Sequence, residues 1–131
     1  MKNKKVLIVS ARYYEDFSNS LELVASSLLN DKKVKYKIIK VPGVFEIPVS
    51  IAKNIKKYDG FVALGCVIKG ETPHFDFISQ ATTNAIMQLS IDHKKPIGNG
   101  IITSLNREQA LTRSKTKGGE AARAVISILS Q

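Results

Sequence analysis

The run YDGFVALGCVI at residues 58–68 constrains the fold of this chain more strongly than its other segments do. It is short, almost continuously apolar and rich in valine, phenylalanine and isoleucine, which predicts a parallel strand buried on both faces. The turn at 69–71 ends this strand. Thr72 is then predicted to cap a helix, with Pro73 at the first helical position, where a missing N–H costs nothing. A buried strand that leads into a helix indicates a sheet covered by helices.

The residues that follow predict a long amphipathic helix over 73–92, because apolar positions recur at helical spacing: Phe75, Ile78, Thr82, Ala85, Ile86 and Leu89. A helix N-terminus after a glycine turn offers free N–H groups and the positive end of the helix dipole to an anion. His74 lies in the same field, which disfavours its charged form and is expected to hold it neutral near pH 7. A neutral imidazole beside an anion pocket suits proton transfer, although a solvated or capping histidine is the commoner case.

Strands and helices alternate along the whole chain. Strands are predicted at 5–11, 34–41, 58–68 and 96–103, and helices at 15–30, 46–57, 73–92, 106–115 and 118–130, the last two divided near Gly118 and Gly119. The inward-facing residues are predicted to be Phe17, Leu21, Val24 and Leu28 in the first helix and Val49, Ala52 and Ile55 in the second. This alternation predicts one α/β domain over 1–131, with a four-stranded parallel sheet between two layers of helices.

Composition narrows the classes of function. The one cysteine, Cys66, excludes an internal disulfide and fits a reducing, cytoplasmic setting. No apolar run is long enough to span a bilayer, so no membrane partner is expected. The formal net charge of +9 permits nucleic-acid binding. The lysines, however, are scattered along the sequence: Lys32, Lys33, Lys35, Lys37, Lys53, Lys56, Lys57, Lys94 and Lys95. A solvated lysine surface that attracts anionic substrates is therefore expected, and no nucleic-acid partner.

Several other chemistries lack their sequence signatures. Cys66 precedes Val67 and Ile68 rather than the glycine of a nucleophile elbow, so it is expected to pack as a small residue. His74 and His93 stand far apart without a second cysteine, which argues against a zinc site, and no metal is expected. The glycine-rich fingerprints of dinucleotide and nucleoside triphosphate sites are missing from the sequence.

Ligands of open parallel sheets bind at the carboxyl ends of the strands, near a topological switch point. The segments that follow the strands are therefore predicted to form one surface. They contribute Arg12, Tyr13 and Tyr14, then Phe45 and Glu46 after the Pro42–Gly43 turn, then Thr72 and His74, with Asn99 in the fourth strand and Arg113 further on. Each residue has an ordinary explanation, such as a surface aromatic or a carboxylate that complements a helix dipole. Their convergence on one edge predicts a ligand site.

Five segments resemble, in order and spacing, those of the lumazine synthase (6,7-dimethyl-8-ribityllumazine synthase) family: ARYYEDF, VPGVFEIP, GCVIKGETPHFDF, NGIIT and EQALTRSKTKGGEAA. The resemblance implies a flavodoxin-like α/β/α fold. It also implies a transferase that condenses 5-amino-6-(ribitylamino)uracil with 3,4-dihydroxy-2-butanone 4-phosphate, the penultimate step of riboflavin synthesis. It further implies no metal and no organic cofactor, a homo-oligomer built as a pentamer, and a functional link to riboflavin synthase.

The resemblance implies which residues bind the pyrimidine substrate. Tyr13 stands where the family usually has a phenylalanine or tryptophan that stacks on the pyrimidine ring. The segment that binds this substrate matches Val44, Phe45 and Glu46, and Glu46 is expected to hydrogen-bond the ribityl hydroxyls. The strand end whose backbone reads the ring edge matches Cys66, Val67 and Ile68.

The remaining matches concern phosphate binding and proton transfer. Glu71 and Thr72 match the residues around the phosphate, and His74 matches the proposed proton donor and acceptor. Arg113 matches the arginine that holds the phosphate, and Lys117 is expected to support that pocket.

Other positions depart from the family pattern. Tyr14 replaces an asparagine that commonly follows the stacking aromatic. Asn99 stands where many members have phenylalanine, at a substrate-binding position contributed by the adjacent subunit, and is expected to keep the backbone contact. Lys115 and Glu120 alter a segment associated with icosahedral shells, and the leading strand that some members lend to a neighbour is expected to be missing. A pentamer is still expected because the site needs two subunits, whereas a further shell is left open.

A second interpretation also stays open at this stage. The chain could be a non-catalytic, flavodoxin-like module that binds a flavin or lumazine as a carrier. Such a module would use the aromatic ring and the carboxylate but would not need His74 and Arg113 together.

The apolar face of the third helix is a candidate lining for a ring of subunits, although core packing explains that face equally well.

Overall fold

The computed structural model describes residues 3–70 and 74–131 and contains a four-stranded sheet. The strands are β1 (Lys5–Ala11), β2 (Lys35–Val41), β3 (Gly60–Ile68) and β4 (Ile97–Ser104). The helices are α1 (Glu15–Asp31), α2 (Ile47–Asn54), α3 (Phe75–His93), α4 (Arg107–Ser114) and α5 (Lys117–Leu129), with a 3₁₀ turn at Val44–Glu46. Every strand pair is parallel, in the order β2-β1-β3-β4. The predicted fold class is confirmed.

Helices cover both faces of the sheet and create two apolar layers. The first layer packs α1, α4 and α5 on one face, and the second packs α2 and α3 on the other. Strand β3 is buried along its whole length, as expected for a central parallel strand covered on both sides. In α1 the core-facing residues are Phe17, Leu21, Ala25 and Leu29, so the predicted Val24 and Leu28 lie at the margin of the buried face.

The second helix differs from its prediction in length and in the face that it buries. It was expected over 46–57 with Val49 and Ala52 inward, but α2 ends at Asn54 and Val49 is 59% exposed. The core residues are Ile47, Ile51 and Ile55, which follow the strict i, i+4 spacing of one helical face. Residues 44–46, which directly precede α2, form a separate 3₁₀ turn. This correction matters for function because that turn carries Phe45 and Glu46.

The last two helices lie within one residue of their predicted bounds, but the break between them falls before Gly118 and Gly119 rather than at them. Asn106 caps α4, since its Oδ1 accepts a hydrogen bond from the backbone N–H of Gln109 at 2.9 Å. The break falls at residues 115–116, and α5 begins at Lys117, so Gly118 and Gly119 lie inside its first turn. Both glycines are buried there because α5 packs against α1.

Replacing Gly118 by alanine is expected to lower the free energy of unfolding by about 2 kcal/mol. An added Cβ would lie 2.4 Å from the carbonyl oxygen of Leu21, so the backbones of α1 and α5 must move apart. The matched control is Gly119→Ala, whose Cβ would meet only the side chains of Val24 and Arg123, the nearest atom at 3.1 Å. Alanine also gains about 1 kcal/mol of helix propensity over glycine, so this control is expected to be close to neutral. Urea unfolding of both variants is the measurement, and equal losses would contradict the predicted packing.

Candidate active site

The strand order places a topological switch point between β1 and β3. The ladder between these strands ends at the pair Ser10 and Leu64, whereas β3 continues over Gly65–Ile68 beside β4. The side chains of Cys66, Val67 and Ile68 are buried, so Cys66 packs in the core as predicted. A ligand at the switch point would therefore meet the backbone of this strand end rather than its side chains.

The 3₁₀ turn at Val44–Glu46 lies directly beside that strand end. An added Cβ at Gly65 would come within 2.8 Å of Val44 Cγ2 and 3.1 Å of Ala11 Cβ, so the glycine lets the turn pack closely on β3. Val44 is buried and Phe45 is exposed. The carboxylate of Glu46 accepts a hydrogen bond from the backbone N–H of Gly43 at 2.9 Å through Oε1. This bond fixes the position of Glu46 at the edge of the switch point.

Tyr13 projects from the end of β1 and is 65% exposed. Its ring meets that of Tyr14 edge to face, with 4.8 Å between the ring centroids. Tyr14 in turn packs against Phe17 and the first apolar layer. Tyr14 therefore anchors the exposed aromatic ring before it.

Arg107 is a residue near this aromatic group that the sequence did not reveal. Its guanidinium carbon lies 5.0 Å from the ring centroid of Phe17 and 5.7 Å from that of Tyr14. It also lines, with Arg12, Tyr13 and the first residues of α1, a hollow of about 480 Å³. No local pattern could have identified it, because the contact joins the start of α4 to the start of α1.

A polar network holds the chain just before Tyr13. The Arg12 guanidinium forms an ion pair with Glu22 at 2.6 Å and donates a second hydrogen bond to Asn19 Oδ1 at 2.7 Å. The same Glu22 oxygen accepts a hydrogen bond from the hydroxyl of Ser10. The backbone N–H of Arg12 also donates to the carbonyl of Val41 at 2.9 Å, which ties the ends of β1 and β2 together.

His74 occupies the N-cap position of α3 rather than the predicted first turn, and its side chain is exposed. Its ring centroid lies 6.3 Å from that of Phe77, and α3 packs against the Val44–Glu46 turn. Gly70 turns the chain after β3 with a φ of 88°. The predicted roles of Thr72 as cap, of Pro73 as first helical residue and of Glu71 near an anion concern residues outside the described ranges.

Three predicted residues lie elsewhere, along the open edge of β4. Asn99 Oδ1 accepts a hydrogen bond from the backbone N–H of Ile101 at 3.0 Å. Arg113, in the last turn of α4, donates from Nη1 to the carbonyl oxygen of Thr103 at 2.7 Å. Arg113 and Lys117 line one hollow of about 210 Å³ beside this edge. The side chains of Asn99 and Arg113 thus satisfy backbone groups that the edge strand leaves exposed.

The candidate residues therefore fall into two groups on one chain. The first group, at the switch point, contains Tyr13, the Val44–Glu46 turn and the end of β3. The second group lies beyond β4, about two strand spacings or 10 Å away across the sheet. Asn99 is also level with Ala63, about 16 Å below the last paired residues of β3 and β4. The hollows around Tyr13 and Arg113 share no lining residue. Tyr13, the Val44–Glu46 turn and the end of β3 thus lie together, whereas Asn99, Arg113 and Lys117 lie on the β4 side, and the convergence of all these residues on one ligand site stays a prediction.

No helix within residues 3–70 and 74–131 combines the length and the apolarity that a membrane span requires. The family model described as 6,7-dimethyl-8-ribityllumazine synthase matches residues 3–131. A protein of that name from Agrobacterium fabrum is 44% identical over 98% of this chain and 95% of its own length. Relatives of the same name from Bartonella henselae and Bartonella tribocorum are 46% and 45% identical over 98% of this chain, covering 88% and 89% of their own lengths. Since these matches extend over nearly the whole chain, the protein belongs to the 6,7-dimethyl-8-ribityllumazine synthase family.

Proposed function

We propose that the chain condenses 5-amino-6-(ribitylamino)uracil with 3,4-dihydroxy-2-butanone 4-phosphate at a site completed by a second copy of itself. The family makes the chain a transferase of riboflavin biosynthesis and favours this activity over that of a flavin carrier. The observation that carries the shared site is the separation of the matching residues into two groups on one chain. A head-to-tail contact would bring the switch point of one copy to the β4 edge of the next.

The switch point offers the chemistry that a ribityl pyrimidine needs. The exposed ring of Tyr13, held by Tyr14, provides a flat surface for stacking. The backbone of Cys66–Ile68, past the end of the β1 ladder, presents donors and acceptors in a fixed row for the polar edge of the ring. Glu46 uses one carboxylate oxygen to bind Gly43, and a carboxylate has two oxygens with which to accept hydrogen bonds from ribityl hydroxyls. Phe45 adds an exposed apolar surface beside it.

The hollow at the β4 edge suits a phosphate. Arg113 carries a guanidinium with five N–H donors, and its bond to Thr103 uses one of them. Lys117 adds a second cation to the same hollow. We expect the phosphate to lie between this pair and the N-terminal end of α3 in the neighbouring copy, near Glu71 and Thr72.

The reaction joins an amine to a ketone, releases phosphate and closes a ring. Such a reaction is accelerated mainly when the two substrates are held close together in the right orientation. The two groups of residues would hold them from opposite sides. Proton transfers accompany each of these steps. We assign them to His74, whose side chain is exposed at the start of α3, the helix that packs against the turn that holds Glu46. No metal or organic cofactor is part of this proposal.

Exposed apolar side chains support association of several copies. Phe77 is 78% exposed, and Met87 and Ile91 of the same helix are also exposed. The face predicted to line a ring instead packs on the sheet, since Ile86 is buried and Ile78 and Leu89 contact the second apolar layer. The outer face of α3 is therefore the better candidate for subunit contacts. A head-to-tail contact closes into a ring, and we propose the pentamer of the family resemblance, with further assembly into a shell left open.

We also propose a cytoplasmic location for this enzyme. One cysteine, buried in the core, fits a cytoplasmic enzyme. The lumazine product would be consumed by riboflavin synthase, so we infer a functional link between the two enzymes.

The activity is tested by incubating the purified protein with both substrates and recording the fluorescence of the lumazine product. Formation of product that requires both substrates is expected. Tight binding of riboflavin without any product would contradict the enzymatic proposal and favour a carrier.

Arg113→Ala is expected to raise the KM for the butanone phosphate about 10- to 100-fold while changing the KM for the pyrimidine little. A charge-assisted hydrogen bond contributes about 1.5–3 kcal/mol, and only the phosphate substrate carries the matching charge. Lysine at position 113 should restore part of the affinity because it keeps the charge but loses the bidentate fork. Steady-state kinetics with each substrate varied in turn is the measurement.

The matched control is Arg123→Ala, which removes an equally exposed arginine from α5 outside the hollow. Its kinetics should stay close to those of the unmodified protein. Because Arg113 also binds the carbonyl of Thr103, urea unfolding of each variant must accompany the kinetics. Equal losses for both substrates in a stably folded Arg113→Ala protein would rule out a phosphate-specific role.

A further inference from the structure

A second basic cavity lies at the amino end of the sheet, away from the candidate active site. It has a volume of about 650 Å³ and is lined mainly by four lysines and two tyrosines: Lys5, Lys33, Lys35, Lys37, Tyr36 and Tyr58. The candidate active site lies at the opposite ends of the same strands, about 20 Å away along β1 and β2. The two sites are therefore distinct.

The fold brings together lysines that are apart in the sequence. Lys5 on β1 is paired directly with Lys35 on β2, and Lys37 follows on the same face of β2. Like charges placed opposite each other on neighbouring strands repel and destabilise the sheet. Lys33, which adopts a left-handed backbone with a φ of 58° after α1, adds a fourth ammonium group to the cavity. An anion bound among them would relieve this repulsion.

The cavity lacks an acidic side chain among its lining residues, as far as residues 3–70 and 74–131 are concerned. The carboxylate of Asp59 is adjacent, but it accepts a hydrogen bond from the backbone N–H of Lys5 at 2.8 Å. Asp31, at the end of α1, lines a different hollow with Gly119 and Arg123. The lining thus has a net positive charge that its own side chains do not neutralise.

Both tyrosine rings of the cavity are held in place. Tyr36 packs against the first apolar layer, and its hydroxyl lies 3.4 Å from the Nδ2 donor of Asn30. Tyr58 packs edge to face on Phe61, with 6.1 Å between the centroids, and Lys5 Nζ lies 5.7 Å from the Tyr58 ring centroid. Half-buried, fixed rings in a cavity lined by ammonium groups offer stacking surfaces for a flat ring that is attached to a negatively charged group.

We propose that this cavity binds a small phosphorylated ligand with an aromatic ring, of the nucleoside diphosphate class. The lysines would hold the phosphates and a tyrosine would stack on the base. The volume falls within the range of small-molecule pockets, roughly 300–1,000 Å³. Its small set of lining residues favours a compact ligand over a nucleic-acid strand, which would require a basic groove long enough to follow the backbone. The proposal does not depend on the synthase reaction.

The test is calorimetric titration of the full-length protein with ADP at low salt. ADP should bind. Inorganic pyrophosphate, which lacks the aromatic ring, and adenosine, which lacks the phosphates, should each bind at least about tenfold more weakly than ADP. The double variant Lys35→Gln/Lys37→Gln should weaken ADP about tenfold or more. The matched control Lys53→Gln/Lys56→Gln removes the same charge from exposed positions outside the cavity and should bind ADP as before.

The proposal would be overturned by no ADP binding, by equal weakening in both double variants, or by pyrophosphate or adenosine binding as tightly as ADP. An oligothymidylate that outcompetes ADP and is lost with Lys35→Gln/Lys37→Gln would replace the small ligand with a nucleic acid. The Arg113→Ala protein separates the two sites, since it should bind ADP normally. Loss of ADP binding in that protein would place ADP at the proposed phosphate hollow instead.

Discussion

The His74→Ala protein is expected to fold normally and to turn over roughly 10²- to 10⁴-fold more slowly than the unmodified protein, without losing activity altogether. The imidazole is exposed at the N-cap of α3 and accepts no capping hydrogen bond from the helix, so its removal should leave the helix intact. The residual rate reflects substrate positioning by the other residues, which alanine at position 74 leaves in place. Single-turnover formation of the fluorescent product measures the chemical step.

The chain offers a matched control for this substitution. His93 is an equally exposed histidine at the other end of the same 19-residue helix, about 27 Å away. His93→Ala should therefore turn over at the normal rate. An unchanged rate in the His74→Ala protein, or an equal decrease in both variants, would remove His74 from the proton-transfer role.

The core of the fold could be predicted from the sequence because local patterns and tertiary contacts agree there. The apolar run at 58–68 became the buried strand β3, and the regular alternation became a parallel sheet with helices on both faces. Prediction was weaker where contacts between residues far apart in the sequence decide which side chains are buried. The prediction of which residues of α2 face inward was wrong because the separate 3₁₀ turn at 44–46 changes which face of the helix packs on the sheet.

The candidate site was predicted less completely. Residue types at the strand ends indicated the part of the site that contains Tyr13 and Glu46, because the carboxyl ends of parallel strands lie at one edge of the sheet. Arg107 could not be found this way, since it meets Tyr14 and Phe17 through the packing of α4 on α1. The distance of Asn99 from the strand ends likewise depends on the register of β4 against β3, which no motif reveals. The grouping of Lys5 with Lys35 and Lys37 depends in the same way on the pairing of β1 with β2.

At a butanone phosphate concentration below its KM, activity is expected to rise when the two impaired variants His74→Ala and Arg113→Ala are assembled together. If each site takes His74 from one copy and Arg113 from the next, an interface between the two variants in the right order contains both intact residues. Random assembly of equal amounts in a closed ring would make about a quarter of the sites intact. Neither variant alone forms such a site, so the recovered activity should far exceed the sum of the separate proteins.

The experiment dissociates both proteins, mixes them, reassembles them and confirms mixed oligomers by mass spectrometry. Product formation is then compared with each variant dissociated and reassembled alone, and with His74→Ala mixed with the double variant His74→Ala/Arg113→Ala, which cannot form an intact site. A site shared between copies predicts recovery of about a quarter of the normal activity in the first mixture and none in the second. No recovery in confirmed mixed oligomers would contradict the shared site and place His74 and Arg113 in the same chain's site.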